Sequence, residues 1–364
     1  MKVDWVSLVE FRSYASLDWS PDPGINLLVG PNGAGKTNAL ESVGYLSSLK
    51  SFRSAPESAL IGQSADSAVV RAGVTSGHSE RLIEIEIPRA GARRTQVDKS
   101  RLKRTSDLLG VLRVIAFLPE DLDLIKRGPA YRRDLLDDLA VQLWPSAYLD
   151  QSEYDRSVRQ RNAFLKSGER DDMTLSVWDS RLAQAGGRVM ARRMRVMETL
   201  ASLLDQSYRH VAAAEVTARF TYEASWAEGR PSSASAGEYS DQLARALEES
   251  RYADYERRMT TVGPHRDEPG FSLDSRDTRT HASQGEQRTI ALAVKLAAHA
   301  AVAEAVSETP VLLLDDVFSE LDADRAKALA GAIPEGTQTM ISTARPEDVP
   351  VAGKVWSVVE GGIR

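Results

Sequence analysis

The residues with the most legible chemistry are Gly30-Pro31-Asn32-Gly33-Ala34-Gly35-Lys36-Thr37, spaced G-x-x-x-x-G-K-T. Glycines at these positions let successive backbone N–H groups turn inward around an anion without side-chain clash. The run Ile25-Asn26-Leu27-Leu28-Val29 before it reads as a buried strand. The residues after it, Asn38-Ala39-Leu40-Glu41-Ser42-Val43-Gly44-Tyr45-Leu46, read as a helix. Strand, glycine loop and helix N-terminus together make a phosphate site, with the helix dipole adding positive potential. Lys36 is expected to reach the β- and γ-phosphates of a nucleotide and Thr37 to place its hydroxyl on Mg²⁺. A chance glycine turn would not require the lysine and threonine as well.

A second chemical feature lies almost 300 residues downstream. Val311-Leu312-Leu313-Leu314 ends in Asp315-Asp316, and an apolar parallel strand that ends in acids is where an α/β sheet presents its ligand. Taken alone, two acids there read as a helix N-cap. Taken with the phosphate loop, Asp315 is expected to order Mg²⁺ through water beside Thr37, and Asp316 to orient or deprotonate an attacking water. Between the two features, Ser283-Gln284-Gly285-Glu286-Gln287 opens the apolar run 288–297. A hydroxyl and a glycine at a helix start again suit an anion, and Ser283 can also act as a plain N-cap. One phosphate loop already contacts its own γ-phosphate. A second anion-ready helix end therefore implies a second nucleotide face, most economically in a two-fold dimer where residues 283–286 of each copy cap the other's ATP.

Positioning these groups requires an α/β frame. Strands are expected at 3–9, 16–19, 25–29, 68–74, 81–87 and 111–119; the 81–87 run alternates apolar and charged residues as a sheet with one wet face does. From about 120 to 258 the period is mainly helical, and strands return near 271–273 and 354–359. The division expected is an ATPase domain in two parts, 1–119 and 259–364, with a helical arm at 120–258. Residues 89–104 carry Arg89, Arg93, Arg94, Lys99, Arg101, Lys103 and Arg104 against the single acid Asp98. This basic stretch reads equally as a contact for nucleic-acid phosphates and as a solvated hairpin edge guarded by cations. Arg188, Arg192, Arg193 and Arg195 crowd one arm helix, where a solvated face is the ordinary reading.

Bulk properties bound the rest. The 364 residues carry 46 basic and 52 acidic side chains, a net charge of −6, so any nucleic-acid surface must be local. There is no cysteine, which excludes disulfides and thiolate chemistry. The five histidines lack metal-ligand spacing. No secretory signal fits the N-terminus, and no run reaches the roughly 18 apolar residues of a membrane helix. A cytoplasmic protein without a membrane partner is expected.

Taken together, the loop 30–37, the stretch 283–287, the strand end Asp315-Asp316 and Ser319-Glu320-Leu321-Asp322 resemble the ABC-type ATPases. Leu118-Pro119-Glu120-Asp121-Leu122, residues 128–137, Gly263-Pro264-His265-Arg266-Asp267 and the pairing of Phe11-Arg12-Ser13-Tyr14 with the loop narrow this to the RecF family of bacterial recombination mediators, from end to end. The resemblance implies an ABC-type head with mixed sheets and helices, an inserted all-helical arm and no long coiled coil. It implies ATP and Mg²⁺ as ligands, an ATP-dependent homodimer on duplex DNA and at single-strand junctions, and RecR (with RecO) and RecA as partners. It places a switch residue at Thr343, where many ABC proteins have histidine. With DNA as the partner, the basic stretch is expected to make its contact through Arg93, Arg94, Lys103 and Arg104. Two departures stand out. Asp316 replaces the usual glutamate and is one methylene shorter, which implies slow turnover; the activity expected is a weak ATPase that DNA stimulates. The lobe-linking glutamine is not evident, and Glu120 lies in the position expected for it. A second reading, an ATPase subunit driving a membrane transporter, would make the arm a coupling surface.

Overall fold

A computed structural model describes residues 1–228 and 234–364; residues 229–233, inside the expected arm, lie outside the described residues. The chain divides into two compact units, one of Met1–Asp123, Gln206–Glu215 and Arg288–Arg364, the other of Leu124–Asp205 and Val216–Gln287.

The first unit is built on two sheets. Strands β1 (Lys2–Phe11), β2 (Tyr14–Trp19), β4 (Ser67–Ser76), β5 (Ser79–Pro88), β6 (Arg94–Val97) and β7 (Ser100–Arg101) pair antiparallel in the order β2-β1-β4-β5-β6-β7. Alternation decides its faces: Ile83, Ile85 and Ile87 of β5 are fully buried, while Glu84 and Glu86 between them meet solvent. The second sheet runs β15-β14-β3-β13-β12-β8, from β3 (Ile25–Val29), β8 (Val114–Phe117), β12 (Val311–Asp315), β13 (Thr339–Thr343), β14 (Lys354–Val359) and β15 (Gly362–Ile363). All but the β14–β15 pair are parallel. Every residue of β12 and β13 is buried, as strands covered on both faces require. Register then does the positioning: Asp315 pairs with Ser342, and Thr343 pairs with Val29. The acid strand end, the β13 end and the start of the glycine loop are therefore level at one edge.

Helix α1 (Lys36–Ser48) follows the loop, and α9 (Ala323–Gly331) lies between β12 and β13. Helix α8 (Gln284–Val306) corrects the expectation about membrane spans, because by length and composition it is apolar enough to cross one. Two-thirds of its most apolar window is buried inside the protein, so the apolar character serves a core helix. Strand β8 begins at Val114, three residues later than expected.

The second unit holds α2 (Pro129–Leu143), α3 (Ala147–Ser167), most of the 41-residue α4 (Asp172–Ala212), α5 (Ala236–Glu249), α6 (Arg251–Arg257) and the short α7 (Thr278–His281). Leu182, Val189, Met190 and Met194 of α4 bury against Tyr154, Leu243, Leu247 and Trp226. The unit is not all-helical, which corrects the arm expectation. Strands β9 (Ala218–Glu223), β10 (Glu268–Leu273) and β11 (Arg276–Asp277) form a sheet in the order β11-β10-β9. The β9 run Phe220-Thr221-Tyr222 is β-branched and aromatic, and it finds its partner some fifty residues later in Glu268–Leu273. The unit also extends to Gln287 rather than ending at 258, because the β10–β11 hairpin completes its sheet.

Candidate active site

The glycine loop is shaped by close approach as well as by dihedral angle. A Cβ on Gly30 would run into the carbonyl oxygen of Val358. Gly35 has φ +109, and its Cβ would lie 2.8 Å from the Tyr14 hydroxyl, which donates to the Gly35 carbonyl at 3.1 Å. Gly35 caps α1 without a side chain, so the first N–H groups of the helix stay open towards the loop. Pro31, Asn32, Gly33 and Ala34 form the turn between them, with Ala34 N–H on the Pro31 carbonyl.

Lys36, only 7% exposed, donates from Nζ to the Gly30 carbonyl at 2.7 Å and the Pro31 carbonyl at 3.0 Å. Burial lowers its pKa, opposed by the charges of Asp316 and Asp315. Thr37 donates from Oγ1 to Asp315 Oδ1 at 2.8 Å, and Ser342 donates to the same oxygen at 2.6 Å. Burial raises the Asp315 pKa; the Ser342 and Thr37 hydrogen bonds pull it down, Asp316 pushes it up, and Arg53 pulls it down. Ser342 is the functional-site residue that sequence reasoning passed over. Its signal was available only through register, because the serine matters by lying opposite Asp315.

Asp316 adopts φ +49, a left-handed conformation that a short polar side chain tolerates. Its N–H meets the Ser342 carbonyl at 3.1 Å and hydroxyl at 3.0 Å. Its Oδ1 is buried and has no hydrogen-bond partner among the described residues. A buried carboxylate oxygen left open beside Lys36 is suited to accept from a water. Among the described residues no three His, Cys, Asp or Glu side chains converge on a metal position. The donors at hand, one hydroxyl and one carboxylate, match the sparse set by which Mg²⁺ is held alongside phosphate oxygens and water.

Of the remaining expected residues, Thr343 stands at the same edge, at the end of β13. Thr343 is 1% exposed, and its hydroxyl donates to the Arg345 carbonyl at 2.9 Å while accepting from Arg345 N–H at 3.1 Å; the hydroxyl serves the local turn. Ser283, Gln284, Gly285 and Glu286 belong to the second unit. Ser283 accepts from Glu286 N–H at 3.3 Å, and Glu286 accepts from Ser283 N–H at 2.7 Å, which is a capping box. Glu120 is exposed on a single 3₁₀ turn, whereas its neighbour Asp121 pairs with Lys295 at 2.9 Å.

In the basic stretch, Lys103 and Arg104 are exposed, and Arg94 pairs with Glu86 at 3.2 Å while 65% of its side chain stays open. Arg93 departs from the expected set. Its side chain is 16% exposed and engages Glu57, Tyr45 and the Leu49 carbonyl, because its guanidinium completes the end of α1. The arm arginines are similarly committed: Arg188 and Arg192 pair with Asp150, buried Arg193 pairs with Asp137, and Arg195 lies 4.4 Å over the Trp144 ring.

Comparison with known proteins finds relatives along the whole chain. A family model described as the RecF/RecN/SMC N terminal domain matches residues 2–362. A protein of Beutenbergia cavernae named DNA replication and repair protein RecF is 39% identical over 96% of this chain and 95% of its own. A protein of the same name from Streptomyces avermitilis is 38% identical over 100% and 99%. Among solved structures, the recombination mediator protein RecF with ATPrS, in the RecFOR pathway, superposes with a TM-score of 0.91 at 29% identity, covering 100% of this chain and 97% of that one. The Smc head bound to the C-winged helix domain of ScpA matches with a TM-score of 0.57 at 17% identity, covering 100% of this chain and 96% of that one, a likeness of fold.

Proposed function

Because the chain belongs to the RecF/RecN/SMC N-terminal domain family, we propose that it works as a nucleotide-gated clamp on DNA. It is a RecF-type DNA repair ATPase. The observation that carries the finer reading is the convergence of Lys36, Thr37, Asp315, Ser342 and Asp316 at one sheet edge, through hydrogen bonds of 2.6–3.1 Å. Backbone N–H groups of residues 30–35 and the start of α1 would cradle the phosphates of ATP. Lys36 would exchange its two carbonyl partners for β- and γ-phosphate oxygens. Thr37, and Asp315 through water, would hold Mg²⁺, which when bound offsets phosphate charge and aligns the γ-phosphate. Asp316 Oδ1 would accept from the attacking water; its short reach fits slow turnover. Thr343 is proposed as the switch position, acting through the turn it closes with Arg345.

Capping of the second face would come from Ser283, Gln284, Gly285 and Glu286 of a second copy, so ATP closes the dimer and hydrolysis opens it. Such a shift requires ATP to contact the second copy only in the closed state. Duplex DNA, at single-strand gaps and junctions, would lie on Arg94, Lys103 and Arg104. The proposed partners are RecR, acting with RecO, and through them RecA. The transporter reading has no counterpart among the named relatives.

Sedimentation of the purified protein, with and without ATP and Mg²⁺ and with and without a gapped duplex, tests this. The expected outcome is a dimer that needs ATP and is strengthened by DNA. Ser283→Arg is expected to stay monomeric with ATP bound; a dimer that still forms would remove residues 283–286 from the nucleotide face.

A further inference from the structure

Arg93 and Arg94 are adjacent, and extended neighbours point to opposite sides. Arg94 is open to solvent; Arg93 is committed to the end of α1. One nitrogen, Nη1, reaches the Leu49 carbonyl at 2.7 Å, Glu57 at 2.9 Å and the Tyr45 hydroxyl at 3.0 Å. Leu49 is the left-handed C-cap of α1, so its carbonyl is one that the helix leaves unpaired, at the negative end of the dipole. Tyr45 is fully buried and donates to Glu57 at 3.2 Å. One turn earlier, buried Glu41 is held by Arg12 through two bonds of 2.8 Å and by Ser51. Arg93 therefore fastens the base of the basic hairpin to the last turn of α1 and to the segment 49–57. That segment also carries Arg53, whose charge acts on Asp315. Lys36 and Thr37 are the first residues of the same 13-residue helix, a rod about 20 Å long.

We propose that Arg93 is a positioning residue linking the β6–β7 edge to the phosphate-loop helix, and that stimulation of ATP turnover by DNA passes through it. The inference rests on the reading that Arg94, Lys103 and Arg104 hold duplex DNA. Lysine does not replace Arg93, because its chain is one atom shorter and sets its nitrogen short of the point where Nη1 meets a carbonyl, a phenol and a carboxylate together.

The test uses the full-length protein with Arg93→Lys, and with Glu57→Gln as a second variant that keeps Arg93. ATP turnover is measured with and without duplex, and duplex affinity is measured against salt. The expected result for both variants is basal turnover and salt slope as in the parent, with the ratio of turnover with DNA to that without falling to unity. A merely structural role would lower both turnovers together and leave the ratio intact, which overturns the proposal. So does a salt slope that departs from the parent's in either variant, since it would put Arg93 among the phosphate contacts. Retained stimulation in both variants overturns this inference alone. A parent protein that binds no duplex, or is not stimulated by it, overturns the underlying DNA reading as well.

Discussion

The site's key hydrogen bond joins residues 278 positions apart, Thr37 and Asp315, and Ser342 completes the arrangement. Removing that hydroxyl leaves buried Asp315 with one donor fewer and Asp316 N–H with one acceptor fewer. Ser342→Ala is expected to cost about 1–3 kcal/mol, seen as a lower unfolding midpoint without nucleotide and as weaker Mg²⁺-dependent ATP binding. Asp316→Asn keeps a side chain that tolerates positive φ but no longer takes a proton. Turnover should fall by about 100-fold or more, while ATP-dependent sedimentation as a dimer persists for longer. An Asn variant with parental turnover would remove Asp316 from the chemistry. At this scale the sequence was legible where one stretch carries its own context, as residues 30–37 do. It was not legible where a role depends on what lies opposite, as with Ser342, or on which way a side chain turns, as with Arg93.

Among elements, the arm is held by buried charge as much as by apolar packing. Arg161 is fully buried and donates to Asp179 and Asp254, each at 2.7 Å, joining α3, α4 and α6. Arg161→Met leaves Asp179 its pair with Arg251 but takes the cation from fully buried Asp254, which keeps only the hydrogen bonds of Thr261 and Ser250; a loss of about 3 kcal/mol is expected, read by urea unfolding. Exposed pairs such as Arg170 with Glu256 should cost under about 1 kcal/mol when broken. Residues 263–267 offer a pH test. Burial lowers the His265 pKa to about 4, so its contribution is full at neutral pH and is lost as pH falls from its unfolded value near 6.5 towards 4. Burial raises the Asp267 pKa to about 6 against the pull of Tyr222, Arg193 and Trp226, so its contribution is present at low pH and is lost as pH rises through about 6. The two slopes oppose each other. Asp267→Asn should therefore gain stability relative to the parent as pH rises from 4 to 6, by at most about 1.4 kcal/mol per pH unit. A pH-independent difference would contradict the assignment. The helices of the arm were readable from period, but β9 was not: six residues amid helices declare themselves a strand only when Glu268–Leu273 arrives to pair with them.

For the whole molecule, a net charge of −6 sets DNA against a repulsive background, so binding must come from a few outward cations. Neutralising Lys103 and Arg104 together is expected to lower the slope of log affinity against log salt by about 2; an unchanged slope would assign those cations to guarding a sheet edge. The architecture of the first unit was legible because its strands are either strictly alternating or wholly apolar. Its division was less so, since the second unit takes in residues up to Gln287 and gives back 206–215, a matter of packing that no local pattern announces. Lys36 already has two carbonyls of its own loop as partners, so arrival of a triphosphate is an exchange of one set of oxygens for another. What the lysine contributes to binding is the difference between the two sets, so Lys36 sharpens the choice between a triphosphate and a smaller anion more than it adds to the hold on either.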